Sequence, residues 1–230
     1  MRASGDRFGA DALPVAGRLA KWPRRALPAL LAGLGRAARV EPPDSEPLLR
    51  PLGIIFLVER GVSDRSWLAP ALRRITEVLA PPLRLGESAI DFSRLPRSGG
   101  MLLSEPLLQA IASTIDWQSA AVFVHVVVIA EDMRLPPARF NFAVSAGAAA
   151  TPVHLVIVSL ARLGNARDPE MAGARVARMV VKNVARVLGY AGSDRCVFSF
   201  PRNLDELDAM PESYCEPDLS VLAAAGIARP

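Results

Sequence analysis

Histidine and cysteine are almost missing from this 230-residue chain, with two of each. His125 and His154 both fall inside apolar runs, AVFVHVVVI and PVHLVIVSL, where a core histidine bonded to a backbone carbonyl is the plainer reading than a ligand. Cys196 and Cys215 are too few for a disulfide framework, which points to a reducing compartment, with the cytoplasm as default. Lysine occurs only at Lys21 and Lys182, so the net charge of +4 and the pI near 9.7 are carried by arginine and read as a coding bias. Aromatic residues make up 6% of the chain and no RNA-binding signature occurs, which weighs against nucleic acid as a partner. No run of about twenty uninterrupted apolar residues exists, so no membrane span is expected. A Gly-rich phosphate loop is missing too; Gly99 and Gly100 in RSGGM read as a loop break.

Half of the chain is apolar, enough for a real core. Residues 1–47 are rich in Arg, Ala, Gly and Pro and read as an extension, with an amphipathic basic stretch near Arg25 to Arg39 and a proline-rich break at EPPDSEP. The folded domain is expected over 48–230. GIIFLV (Gly53 to Val58) predicts a buried strand. A helix follows from Ser66 to Leu79, with Leu68, Leu72, Ile75 and Leu79 inward, and then an edge-like strand near Leu83 to Gly86. Ser104 to Ile115 reads as a helix capped by Ser104, and Ala121 to Ile129 as a central strand. Pro152 to Leu160 supplies another strand. This alternation predicts an α/β fold with a mostly parallel sheet.

The most informative stretch is DPEMAGARVARMVVKNVARVLGYAGSDRCVFSF, residues 168–200. Asp168 is an N-cap candidate with Pro169 at the first helical position, and Val176, Val180, Val184, Val187 and Leu188 recur at helical spacing up to a stop at Gly189. A helix ending at a glycine in this way has the geometry of the H-E-x-x-H-x-x-G-x-x-H motif. The following CVFSFPRNLDELDAMPESYC (Cys196 to Cys215) resembles the segment after the active helix of archaemetzincins. Upstream, FNFAVSAGAAATPVHLVIVSLARL (Phe140 to Leu163) is similar to that family's N-F-V-F-G and the strand after it. The likeness covers about residues 52 to 220 and is densest from 122 to 216.

This resemblance implies a metzincin-like α/β (α+β) mixed sheet with one antiparallel edge strand, here Phe140 to Ser145, and a long active-site-type helix. An upper subdomain over 48–190 and a small C-terminal one over 191–230 would complete it. Intact members are zinc peptidases, in which three histidines hold the metal and a glutamate takes a proton from its water. On that frame Lys182 and Arg186 stand at two ligand slots, Asn183 at the glutamate and Gly192 at the third ligand. An ammonium and a guanidinium offer no lone pair, and an asparagine amide is no base near neutral pH. Only Gly189 is kept. Phe198 replaces the methionine of the turn beneath the metal. A second, cysteine-based site of the family maps to Ser193, Cys196, Cys215 and Asp218; it reads as a weak remnant or, more plainly, as two buried free thiols.

Arg175, Arg178, Lys182 and Arg186 are spaced by three, four and four and form a cationic stripe. It has three readings: salt bridges to the acids between Asp205 and Asp218 that close the old cleft, an ordinary solvated face, or an anion site. The expected function is a catalytically inactive pseudo-peptidase with a binding or structural role and without a cofactor; the sequence identifies no partner and leaves a peptide or protein ligand open. The alternatives are a zinc-dependent peptidase with an atypical site, and a binder of anions, nucleic acid or membrane surfaces through Arg-rich segments such as Arg18 to Arg39.

Overall fold

The computed structural model describes residues 50–116, 122–147, 153–163, 168–193 and 195–230. The extension expected over 1–47, with its basic stretch, lies outside the described residues.

Five strands form the main sheet: β1 (Gly53–Glu59), β2 (Leu83–Ser88), β5 (Phe123–Ile129), β7 (Ala143–Ala146) and β8 (His154–Ser159). Their order is β2-β1-β5-β8-β7, with β7 alone antiparallel. The inner strands are Val- and Ile-rich without alternation because helices cover both of their faces. Val126, Val128, Val156 and Val158 belong to one core, Val127, Ile129, Leu155 and Ile157 to the other. Helix α2 (Ser104–Ala112) covers the second core with Leu107, Leu108 and Ile111. Helices α1 (Leu68–Val78) and α3 (Pro169–Val187) cover the first.

Several local details correct the sequence reading. Helix α1 starts at Leu68, because Ser66 is held in a turn by its N–H bond to Asp64 Oδ1, while Leu68, Leu72, Ile75 and Leu79 do face the core, the first two half-buried, and Pro70 and Ala71 are buried with them. Leu103, not Ser104, is the N-cap of α2, whose serine hydroxyl is buried without a partner. Gly99 and Gly100, at φ of 61° and 81°, form the turn of a hairpin between β3 (Arg97–Ser98) and β4 (Met101–Leu103), which with β6 (Met133–Arg134) makes a second small sheet. The antiparallel edge strand is shifted to Ala143–Ala146 from the expected Phe140 to Ser145.

Helix α3 behaves as its sequence requires. Asp168 Oδ1 accepts from Met171 N at 3.1 Å, Pro169 opens the first turn, and Gly189 at φ 98° follows the C-cap. Gly173 lets α3 touch α1, since a Cβ there would lie 2.6 Å from Pro70 and 2.9 Å from the Ala71 nitrogen. After α3 come a 3-10 turn (Cys196–Phe198) and helices α4 (Leu204–Asp208) and α5 (Asp218–Ala224), whose Leu207 and Leu222 join the first core. No helix of the described residues is long and apolar enough to cross a membrane.

Candidate functional site

The stripe on α3 divides into two halves. Arg175 and Arg178, both buried, face the chain between α4 and α5. Arg175 forks onto Asp208, Nε to Oδ1 at 2.7 Å and Nη2 to Oδ2 at 2.6 Å, and this bond holds the Asp208 carboxyl below its usual range. Arg178 donates from Nε to the Met210 carbonyl at 2.8 Å and from Nη2 to Glu212 at 3.3 Å. Burial pulls this guanidinium below its ordinary pKa, and Glu212 opposes that. Glu212 is shared with Arg74 of α1, which also meets Glu170 at 3.1 Å. The network therefore clamps α1, α3 and the C-terminal segment together.

Lys182 and Arg186 sit one and two turns further on, in a cleft of about 370 Å³. Lys182 Nζ donates to the Ser199 carbonyl and lies 4.0 Å from the centre of the Phe200 ring. Arg186 donates to the Phe198 carbonyl at 3.5 Å and stands 4.5 Å from the same ring. Asn183 turns its amide back on its own helix, Nδ2 to the Met179 carbonyl at 2.7 Å. Phe140 and Phe142, ahead of β7, form the opposite wall; Arg139 and Arg202 also line the space. Both of these arginines are exposed, and neither guanidinium is paired with a carboxylate among the described residues.

Gly192 does not reach the cleft as an empty ligand slot. At φ 80° it packs beneath Phe198, and a Cβ there would fall 2.5 Å from that ring. Phe198 is fully buried, with Tyr190 and Tyr214 rings each 5.5 Å away, and the Tyr214 hydroxyl donates to the Val181 carbonyl of α3 at 2.7 Å. The glycine and the aromatic thus fill one another's space.

The cysteines correct an expectation. Cys196 and Cys215 are joined in a disulfide, with Cα atoms 6.1 Å apart. Free thiols are therefore not present, no thiolate is left for a metal, and the argument for a reducing compartment loses its premise. The closure follows from the fold: the 3-10 turn and the lead into α5 meet as the segment between them loops back. Asp218 is also occupied, since its Oδ1 accepts from Tyr190 OH at 2.6 Å and its Oδ2 from Ser193 Oγ at 2.5 Å.

Zinc chemistry needs lone pairs converging on one point, and the residues at these slots do not fit it. The side chains at 182, 183 and 186 present N–H groups, all donating to backbone carbonyls, and position 192 has none. No group of three or more His, Cys, Asp or Glu side chains able to hold a metal occurs among the described residues. His125 and His154 lie inside the sheet, in neighbouring strands whose register pairs His125 with Leu155 and His154 with Val124, so the two imidazoles project to opposite faces. His125 is hydrogen-bonded to the backbone at Phe123, as expected of a core histidine, whereas the Nδ1 atom of His154 is buried without a hydrogen-bond partner.

The sequence reading placed Lys182, Asn183 and Arg186 together, and they do share the cleft. It did not single out Arg139, Phe140, Phe142, Phe200 or Arg202. Their only signal was position, just before the edge strand and just after the turn.

No family model matches the chain, and no curated protein matches it in sequence. Solved structures do share its fold. An archaemetzincin from Methanopyrus kandleri matches with a TM-score of 0.59 at 19% identity, covering 77% of this chain and 97% of its own. An archaemetzincin from Archaeoglobus fulgidus, complexed with malonate, matches at 0.56 and 20%, covering 73% and 98%. A zinc-dependent peptidase from Methanocorpusculum labreanum matches at 0.59 and 18%, covering 74% and 100%. At these identities the likeness is one of fold.

Proposed function

We propose that this chain is a non-catalytic protein on an archaemetzincin-like fold, whose cleft binds a peptide instead of cleaving one. The observation that carries the reading is the state of α3. On the resemblance to archaemetzincins Lys182, Asn183 and Arg186 fall at the positions of two metal ligands and the general base, and their nitrogens are engaged with backbone carbonyls. Without a Lewis acid or a base there is no means of raising water to a nucleophile, so no hydrolytic step follows.

A binding role is supported by what the same fold leaves in place. The outer edge of β7 ends the sheet, and such an edge pairs with an extended chain through main-chain hydrogen bonds. The cleft opens beside it, with aromatic walls to take side chains. An assay of the purified full-length protein against a peptide library, with and without added zinc, tests the reading. No cleavage in either condition is expected; zinc-dependent, chelator-sensitive cleavage would overturn it.

A further inference from the structure

We propose that the cleft between α3 and Phe200 is a carboxylate site, and that its occupant is an extended peptide bearing that carboxylate. This rests on the non-catalytic reading above, since it gives the vacated metal slots a new ligand. Arg139 comes from the loop before β7 and Arg202 from the segment after the 3-10 turn, and both line the same space as Lys182 and Arg186. The described lining holds four cationic side chains and no carboxylate. The two rim arginines are exposed and make no ion pair, so their forks are available to an incoming anion.

The walls decide which anion. Phe140 and Phe142, edge-to-face with centroids 5.0 Å apart, line this cleft and also a second hollow of about 490 Å³ shared with Arg162, Arg202, Asn203, Leu204 and Asp205, where the Arg162 guanidinium stands 4.3 Å from the centre of the Phe140 ring. A cationic pocket with two phenylalanines on its wall, beside a sheet edge, suits a chain with apolar side chains and one carboxylate. It does not suit a bare phosphate, for which no nest of backbone N–H groups is formed by a glycine-rich loop here. The carboxylate has two sources, the end of a chain or an acidic side chain.

Isothermal titration of the full-length protein separates them. The probes are an acetylated pentapeptide of alternating alanine and leucine with a free C-terminus, the same peptide as its amide, an amide ending in glutamate, and inorganic phosphate. The free acid is expected to bind about tenfold or more tightly than the neutral amide, as loss of a charge-assisted fork predicts. Binding of the glutamate amide as well assigns any carboxylate, and its failure assigns the chain terminus; either supports the proposal. The exposed double variant Arg139→Ala/Arg202→Ala is expected to lose that preference, while Arg94→Ala, outside the cleft, keeps it. Equal binding of acid and amide, no binding of either, or phosphate binding as tightly as the acid would overturn the proposal. Mass spectrometry of the probes after titration keeps the two readings apart: a cleaved probe sinks the non-catalytic reading, whereas an intact probe that shows no carboxylate preference sinks only this one.

Discussion

Arg175 is a charge taken almost wholly out of water, and Asp208 is its hydrogen-bonded carboxylate, with Asp168 and Asp205 adding weaker attraction. Asp208 accepts both arms of the fork, so removing the acid leaves a buried guanidinium without its hydrogen-bonded carboxylate. Asp208→Asn is expected to cost about 3 kcal/mol in a urea unfolding experiment. A loss below about 0.5 kcal/mol would place the pair with ordinary surface bridges. The same pair sets one end of the acid sensitivity. Asp208 titrates below its ordinary 3.8, so its contribution is full above that value and disappears as pH falls through the lower folded one. His125 acts earlier. Burial first, and the nearby His154 second, push it down to about 4 from an ordinary 6.5. The unfolded chain takes up that proton near 6.5 and the folded chain resists it to about 4, so stability falls as pH drops through this window, by about 3 kcal/mol. Unfolding curves at pH 7 and 4.5 test this, and His125→Leu is expected to flatten the difference. An unchanged slope in that variant would remove His125 from the explanation.

Among the elements, the turn after α3 carries the clearest test of the proposed non-catalytic reading. Restoring a histidine at Gly192 demands a side chain at φ 80° where the Phe198 ring already sits. Gly192→His alone is therefore expected to destabilise the protein by about 3 kcal/mol or more, through strain and overpacking. Placing His, Glu, His and His at 182, 183, 186 and 192 is expected to recover zinc binding only when Phe198 is also made small, as in Phe198→Ala. Zinc binding by the fourfold variant with Phe198 kept would show that the turn yields more easily than its packing implies. The disulfide belongs to this scale too. It closes a segment with a sequence separation of 19, which in the chain-entropy picture stabilises by about 3 kcal/mol. Cys196→Ser/Cys215→Ser and reduction by dithiothreitol are expected to lower the unfolding midpoint equally; a double variant that matches the oxidised protein would contradict the pairing. Helix α3 was legible in the sequence because cap, proline, valine period and glycine all agree on one answer. The disulfide was not, because pairing depends on where a long loop returns. Nor was the turn of Gly192 under Phe198: a glycine at a ligand slot looks like simple loss until the ring filling its space is seen.

Across the whole molecule, the fold and the chemistry of the site separate. A mostly parallel sheet is what the alternation of apolar runs predicted, its antiparallel edge is what the family resemblance implied, and a solved archaemetzincin and a solved zinc-dependent peptidase share the fold. That scaffold holds its long helix by burial and by the clamp from Arg74, Glu170, Arg178 and Glu212, none of which needs a metal. On the proposed reading a fold of this kind keeps its stability without the peptidase chemistry, since fold and function are separable. The small second sheet and the rim residues of the cleft stayed hidden in the sequence because short strands and single exposed arginines leave no periodic pattern. The most direct test of the central claim is a calorimetric zinc titration of the chelator-treated, full-length protein. The account predicts no stoichiometric uptake at micromolar zinc. One zinc per chain, lost on Asn183→Ala or Lys182→Ala in a variant that remains folded, would place the metal on α3 and contradict it.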